Sequence, residues 1–162
     1  MKINFKFKNL KPVSTNQLYC NNQKTKRRFK TGVAKKFERD IFARMLMHKP
    51  EIFDFEKHFS PYDHFLIGYL IVFIPKSILI TRKGYISHKS GDVNNHKAFT
   101  DNVFKAFDKL DDKYLIIENQ YKLISPDNNF HMGYSLEIQD QGCLDKWSND
   151  AYSLMNEGTV HP

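Results

Sequence analysis

The sequence has few cysteines, and they are not arranged as a bridge or a metal site. Among its 162 residues are two cysteines, Cys20 and Cys143, which lie far apart and have no CxxC partner. They do not combine with the seven histidines in a zinc-ligand spacing. We therefore predict two free thiols in a reducing, cytoplasmic compartment.

Long hydrophobic runs are also missing. No window of about 18 apolar residues occurs, which argues against a membrane span. The N-terminus holds lysines but lacks the apolar core of a signal peptide. A Gly-rich phosphate loop, a dinucleotide-binding motif and a Ser-His-Asp order are absent as well. These absences point away from membrane proteins, secreted proteins and enzymes that use a small-molecule cofactor.

Acidic residues are scarce in the first third of the chain. Residues 1–49 hold 14 Lys or Arg against 2 Asp or Glu, a net charge of +12. Residues 50–162 hold 11 against 16, a net charge of −5. A basic region joined to an acid-bearing one indicates a phosphate-binding surface beside a metal site. A merely solvated basic face is the alternative interpretation.

The most informative stretch of the sequence is Ser90–Asp101, which is followed by the pair Asp111-Asp112. Asp92 and Asn94 are two residues apart, so in an extended segment their side chains lie on the same side. The next residues predict a helix with an apolar stripe. That stripe consists of Phe99, Val103, Ala106, Phe107 and Leu110. Carboxylates beside a lysine are what a Mg²⁺-dependent phosphodiesterase needs.

The run Gly-Asp-Val-Asn-Asn-x-Lys-x-x-x-Asp, then Asp-Asp and a strand, resembles the RusA family of Holliday junction resolvases. That family carries Asp-x-Asp-Asn-x-x-Lys-x-x-x-Asp followed by Asp-Asp. The likeness in the order of elements extends from about residue 2 to residue 140. It implies a homodimeric endonuclease that uses Mg²⁺, with Mn²⁺ as a substitute, to cut four-way or branched DNA in recombination and repair.

The resemblance also implies a set of site residues. Asp92 and Asp112 would bind the metal, Asp111 is the alternative to Asp112, and Asn94 stands at the family's second acidic position. Lys97 would neutralise the scissile phosphate, with Asp101 supporting it. For Asp111-Asp112 the competing interpretation is a turn that ends the helix.

Two departures from the family pattern affect these assignments. The spacing from Asp92 to Lys97 is one residue short, which we interpret as a deletion near His96. Counting instead from Asn94 restores the spacing but places Gly91 and Val93 on the acidic positions. An asparagine can coordinate Mg²⁺ through its amide oxygen without contributing charge. Asn94 therefore predicts either a catalytically weak enzyme or an engineered inactive form.

A second group of residues is predicted to bind nucleic acid. Asn16 and Tyr19 lie in a polar loop after the first strand, where the resembled family has similar residues, and turn chemistry alone would also explain them. Five charges fall within residues 24–30, and they repel one another unless an anion faces them. The predicted basic contacts are Lys24, Lys26, Arg27, Arg28, Lys30 and Lys89.

The apolar patterns predict one domain of the α/β (α+β) class. Four strands and two main helices follow one another as β-α-β-α-β-β in a mixed sheet, with a short C-terminal helix. The predicted strands are Lys2–Leu10, Phe65–Ile74, Leu115–Ile124 and Met132–Ile138, and the first long helix is Thr31–His48. We expect Phe65–Ile74 to be a central strand covered on both faces.

The remaining segments carry weaker signals. Glu51–Tyr62 has no clear period and is predicted to be an irregular connection. The stretch from Lys76 to Lys89 is predicted to be a flap or an extra hairpin. The chain divides into a RusA-like nuclease domain, residues 1–140, and a tail, residues 141–162, that packs on the body or on a dimer partner.

Three functions remain open on this basis. The first is a metal-dependent, structure-selective endonuclease. The second is a junction-binding protein that does not cut, because Asn94 removes a charge from the metal ligands. The third is a basic dimeric module that binds RNA.

Overall fold

The computed structural model describes residues 1–13, 15–21, 28–87 and 97–157. They form a small mixed α+β domain with a four-stranded sheet and a separate two-stranded ribbon. The strands are β1 Lys2–Lys8, β2 Tyr19–Asn21, β3 Arg28–Lys30, β4 His64–Ile74, β5 Leu115–Ile124 and β6 His131–Asp140. The helices are α1 Thr15–Leu18, α2 Gly32–Leu46, α3 Lys49–Lys57, α4 Lys76–Leu79, α5 Lys97–Phe104 and α6 Gly142–Glu157.

The four-stranded sheet has the order β1-β6-β4-β5. Strand β6 runs antiparallel to both β1 and β4, whereas β4 and β5 are parallel and are joined through α5. The predicted mixed sheet and its element order are confirmed. Strands β5 and β6 follow each other in the chain but are not neighbours, because β4 lies between them. The turn at residues 126–129 therefore links two strands that do not pair.

One face of the sheet, here called the inner face, is covered by α2, α3 and α5. Alternation in β1 places Phe5 and Phe7 on it, and alternation in β6 places Tyr134 there. Helix α2 contributes the buried stripe Ala34, Phe37, Ile41 and Met45. The Phe99 ring of α5 lies 5.0 Å from Phe7 and 5.9 Å from Tyr134, centroid to centroid. The inner face is therefore the core of the domain.

The segment that we predicted to be an irregular connection contains a helix, so that prediction is wrong. Helix α3 spans Lys49–Lys57 and buries Ile52, Phe55 and Glu56. Pro50 lies in its first turn, where a missing backbone N–H removes no intrahelical hydrogen bond. The helix is short and has few buried positions, so its periodicity is hard to recognise in the sequence.

Helix α5 is shorter than its apolar stripe predicted. It ends at Phe104, yet Phe107 and Leu110 are buried. Tight turns replace the helix, with the N–H of Ala106 bonded to Val103 O at 3.1 Å and the N–H of Phe107 to Phe104 O at 3.1 Å. The stripe predicted burial correctly and helix length incorrectly.

The outer face of the sheet corrects a further expectation. Strand β4 was expected to be covered on both faces, but Tyr69, Ile71 and Phe73 are only half-buried on the outer side. Helix α6 covers one end of this face through Trp147, whose ring centroid lies 5.6 Å from that of Phe65. The rest of the outer face has no helix over it among the residues that the structure describes.

Two connecting segments are more regular than the sequence suggested. The polar loop after β1 forms the short helix α1 and the paired strands β2 and β3. Within the basic connection, an isolated bridge joins Ile80 and Ile86 in antiparallel fashion, as in the hairpin alternative. No helix in the described ranges is long and apolar enough to cross a membrane.

Candidate functional site

A small cleft lies between α5 and the start of β5. Its volume is about 240 Å³, and buried Phe104 and Leu110 line its apolar part. Three carboxylates and one ammonium group complete the lining: Asp101, Asp111, Asp112 and Lys105. We call this the acidic cleft. In the acidic cleft, Asp111 and Asp112, which precede β5, lie next to Asp101 of α5, because α5 connects the neighbouring parallel strands β4 and β5.

Asp111 and Asp112 are directly adjacent at the rim of the acidic cleft. Asp111 caps a 3₁₀ helix, Asp112–Tyr114, and its Oδ1 accepts the N–H of Lys113 at 3.2 Å. A hydrogen bond shared with the Asp112 carboxyl group lowers the pKa of Asp111, and the N–H of Lys113 lowers it further. Asp111 is therefore ionised at neutral pH, beside a second carboxyl group that can share a proton or a cation with it.

These oxygens suit a hard divalent cation. Ionised carboxylates that lie side by side repel each other, and an ion such as Mg²⁺ relieves that repulsion. Within the described residues, no group of three or more His, Cys, Asp or Glu is placed to hold a metal. The predicted ligands Asp92 and Asn94 lie outside the described residues, so the complete predicted set cannot be compared with this geometry.

Lys105 provides a positive charge at the acidic cleft that sequence analysis did not single out. Its Nζ donates to Asn102 Oδ1 at 2.7 Å and lies 3.7 Å from Glu38 Oε1. Partial burial raises the pKa of Glu38, but the hydrogen bond from Lys30 and the charge of Lys105 outweigh it and hold that pKa below its usual value. In the sequence, Lys105 is one of many lysines and nothing marks it.

The two-stranded ribbon adjoins this network. Lys30 of β3 forms an ion pair with the Glu38 that Lys105 also approaches. The hydrogen bond to Glu38 raises the pKa of Lys30. The base of the ribbon is held by Thr31, whose N–H bonds to Leu18 O at 3.0 Å and whose Oγ1 donates to Gln17 O at 2.6 Å. The ribbon and the acidic cleft are therefore joined through one carboxylate.

The ribbon exposes several predicted nucleic-acid contacts. Tyr19, Arg28 and Lys30 are exposed, and the Arg28 guanidinium lies 4.2 Å from the centroid of the Tyr19 ring. Asn16 lies in α1, within Thr15–Leu18. The segment between the two strands, which holds Lys24, Lys26 and Arg27, lies outside the described residues, as does Lys89. Helix α5 begins at Lys97.

A buried polar network anchors α5 beside the acidic cleft. Thr100 donates to Glu118 Oε1, Tyr134 Oη donates to the same oxygen at 3.3 Å, and Gln120 Nε2 donates to Glu118 Oε2 at 2.8 Å. Burial raises the pKa of Tyr134 above its usual value, and the charge of Glu118 raises it further, so Tyr134 remains a hydrogen-bond donor. This network fixes Thr100, and with it the neighbouring Asp101, on the sheet.

Gly68 makes room for this network. A Cβ atom at Gly68 would lie 2.8 Å from Tyr134 Oη, closer than real contacts allow. Glycine is therefore required where β4 passes under Tyr134. Sequence reasoning missed Thr100, Glu118 and Tyr134, because their roles arise from three separate elements that only the fold brings together.

Comparison with known proteins does not assign this chain to a family. The chain matches no protein-family model, and no curated protein matches it either.

Proposed function

We propose that this protein is a metal-dependent endonuclease that cuts branched DNA, including four-way junctions, as the likeness to the RusA signature suggests. The observation that carries the proposal is the acidic cleft, where Asp101, Asp111 and Asp112 share one lining with Lys105. A second support is the exposed basic ribbon, which is joined to that cleft through Glu38.

The carboxylates of the acidic cleft are of the kind that binds a divalent cation, so we assign roles to its residues that can be tested separately. Asp111 and Asp112 would hold Mg²⁺ or Mn²⁺, together with Asp92 and Asn94 from the predicted signature. A metal bound there would supply charge neutralisation at the phosphate and a more acidic water. Asp101 would support Lys97, as the resemblance implies, and Lys105 or Lys97 would bind a phosphate oxygen. The ribbon holds the DNA backbone through Arg28 and Lys30.

A junction with two symmetric cuts calls for two copies of the site, so we also propose a homodimer. Light scattering at micromolar concentration, with and without a four-way junction, tests this directly. A dimer of the 19.2 kDa chain is expected. A monomer under both conditions would argue against paired cutting.

The decisive experiment compares cleavage of a mobile four-way junction in Mg²⁺ with binding of the same junction in EDTA. Asp112→Asn is expected to abolish cleavage while keeping the affinity in EDTA and the melting temperature. Asp108→Asn is the matched control, because Asp108 is an exposed acid in the same connection but outside the cleft. Full cleavage by Asp112→Asn would contradict the proposal, as would loss of binding in EDTA together with a lower melting temperature.

A junction-binding protein that does not cut is the second candidate, and Asn94 favours it. If the unsubstituted chain binds junctions without cutting them, Asn94→Asp distinguishes the two. Cleavage gained in Mg²⁺ identifies a weakened enzyme, whereas unchanged binding without cleavage supports the second candidate. A preference for structured RNA over four-way DNA in the same assay would favour an RNA-binding role.

A further inference from the structure

The outer face of the four-stranded sheet is a large surface that the acidic cleft does not use. Its residues form rows across the strands in the order β1, β6, β4 and β5, because the pairing registers of the three ladders coincide. The three rows beyond α6 are Asn4-Ser135-Tyr69-Asn119, Lys6-Gly133-Ile71-Tyr121 and Lys8-His131-Phe73-Leu123. The face thus changes from basic on β1 to apolar and aromatic on β4 and β5.

Small residues on β6 open a groove along the middle of this face. Gly133 has no side chain, and the nearest atoms that a Cβ would meet are 3.9 Å away. Lys6 lies beside it on one strand and Ile71 on the other. The resulting cleft has a volume of about 740 Å³ and includes Phe73 in its lining. We call it the sheet groove.

The charge along the sheet groove is mainly positive, with Asp127 as the one acid in its lining. Lys6 and Lys8 are exposed, and neither forms an ion pair with any residue in the described ranges. The acids of this face lie at its two ends. Asp127 is bound by His131 Nε2 at 2.6 Å, and Glu137 accepts Gln139 Nε2 at 2.9 Å. Apart from Asp127, which His131 contacts, the charged side chains that line the groove are the lysines Lys6 and Lys8.

The opposite wall is apolar and partly aromatic. Tyr121 is 47% exposed and Leu123 is 45% exposed, and they flank the half-buried Ile71 and Phe73 of β4. The Phe73 ring centroid lies 6.5 Å from that of His131. Flat side chains that stay open to solvent next to a row of unpaired lysines are the two components of a single-strand binding surface.

We propose that the sheet groove binds single-stranded nucleic acid. The sugar-phosphate backbone would follow Lys6 and Lys8 of β1, which lie about 7 Å apart at the usual rise per strand residue. Bases would stack against the side chains of Phe73 and Tyr121, a contact that tolerates any sequence. A single strand exposed beside a branch point would be a substrate of suitable chemistry, but the binding does not depend on cleavage.

A second copy of the chain is the competing occupant, and the charges disfavour it. Pairing two outer faces would bury Lys6 and Lys8 of each copy. The one acid in the groove lining, Asp127, already contacts His131 in each copy, so the desolvation of four ammonium groups would be poorly compensated. A polyanion supplies the missing negative charge, and so we infer nucleic acid rather than self-association at this face.

The first test measures binding of a fluorescein-labelled 12-nucleotide oligo-dT by anisotropy in EDTA. The double substitution Lys6→Gln, Lys8→Gln should weaken binding about tenfold. It should also flatten the slope of log K against log salt by about 1.4, since each lost phosphate contact on a single strand is worth about 0.7. Lys57→Gln is the control, because Lys57 is an exposed lysine of α3 on the helix-covered side.

The second test removes the stacking surface. Tyr121→Ala should weaken oligo-dT binding about tenfold. Tyr62→Ala, at a tyrosine that is 87% exposed and lies before β4 rather than on the outer face of the sheet, should have no effect. The proposal is overturned if the groove variants bind as the unsubstituted chain does, or if both controls lose as much affinity. It is also overturned if light scattering finds a dimer that Tyr121→Ala converts to monomer.

These outcomes are separable from those of the proposed nuclease function. Asp112→Asn should leave oligo-dT binding in EDTA unchanged, since the acidic cleft plays no part in it. Loss of cleavage with normal oligo-dT binding therefore reports on the acidic cleft. Loss of oligo-dT binding in the Lys6, Lys8 variant with normal melting temperature reports on the sheet groove.

Discussion

The two faces of the sheet are built from the same strands and differ in what covers them. On the inner face, Phe7 and Tyr134 are 1% exposed and pack against Phe99 of α5. On the outer face, Tyr121 and Leu123 keep almost half of their surface in solvent. The inner face therefore provides most of the stability, and the outer face can change without unfolding the domain. The following predictions test that division, from the largest expected effect to the smallest.

Truncation of a core aromatic should show the division most clearly. Phe99→Ala should lower the free energy of unfolding by about 3–5 kcal/mol, because it leaves a cavity between Phe7 and Tyr134. Tyr121→Ala on the outer face should lower it by less than about 1 kcal/mol. Urea denaturation of both variants provides the measurement. Similar losses for the two variants would mean that the outer face contributes to stability as much as the covered inner face does.

Removal of a buried carboxylate on the inner side should cost more stability than removal of an exposed carboxylate near the outer face. Glu56 is 4% exposed and accepts the N–H groups of Lys109 at 2.7 Å and Leu110 at 3.3 Å. Glu56→Ala should lower the free energy of unfolding by about 3 kcal/mol, since both N–H groups lose their partner in the interior.

Asp127 is the matched acid near the outer face, with 53% of its side chain exposed. Asp127→Ala should lower the free energy of unfolding by much less than Glu56→Ala does, because water can replace the partners of Asp127. Thermal unfolding of both variants checks the pair. A larger loss for Asp127→Ala than for Glu56→Ala would reverse the proposed division.

Two glycines allow a test with a single methyl group. Gly68→Ala should lower the free energy of unfolding by about 2 kcal/mol, because the new Cβ meets Tyr134 Oη at 2.8 Å. Gly133→Ala faces the open groove and should change stability by less than about 0.5 kcal/mol. Adding Tyr134→Phe to Gly68→Ala should recover part of the loss. No recovery would show that Tyr134 is not the residue in conflict.

The smallest effect is expected at Glu38, whose side chain is 25% exposed in its ion pair with Lys30. Its pKa is lowered in the folded state, so its ion pairs stabilise the fold above the ordinary pKa of 4.5 and are lost as the pH falls through the folded value. Glu38→Gln should therefore cost less than about 1 kcal/mol at pH 7.

Melting curves of Glu38→Gln and the unsubstituted protein at several pH values provide the check. The difference between them should be largest at neutral pH and should shrink once the pH falls below the folded pKa of Glu38. A difference that grows toward acidic pH would show that Glu38 is strained rather than stabilised by Lys30 and Lys105.

Local patterns in the sequence were sufficient for the long elements and for part of the acidic cleft. Alternation in residues 2–10 and 132–138 predicted the strands observed as β1 and β6, and the spacing of Phe37, Ile41 and Met45 predicted α2. Asp111 and Asp112 were predicted as an acidic pair at a helix end, and the structure places them in a cleft with Asp101. Lys105 was missed, since its position depends on Glu38 from another helix.

The sequence by itself determined which side chains face inward along β1 and β6, because residue alternation in a strand is a local property of the backbone. It also determined the charge division between residues 1–49 and the rest of the chain. Only the tertiary structure decided that β4 separates β5 from β6, and that Lys6 of β1 and Tyr121 of β5 share one row with Gly133 and Ile71 between them. Strand order results from how the helices cover one face, and that depends on contacts between residues far apart in the chain.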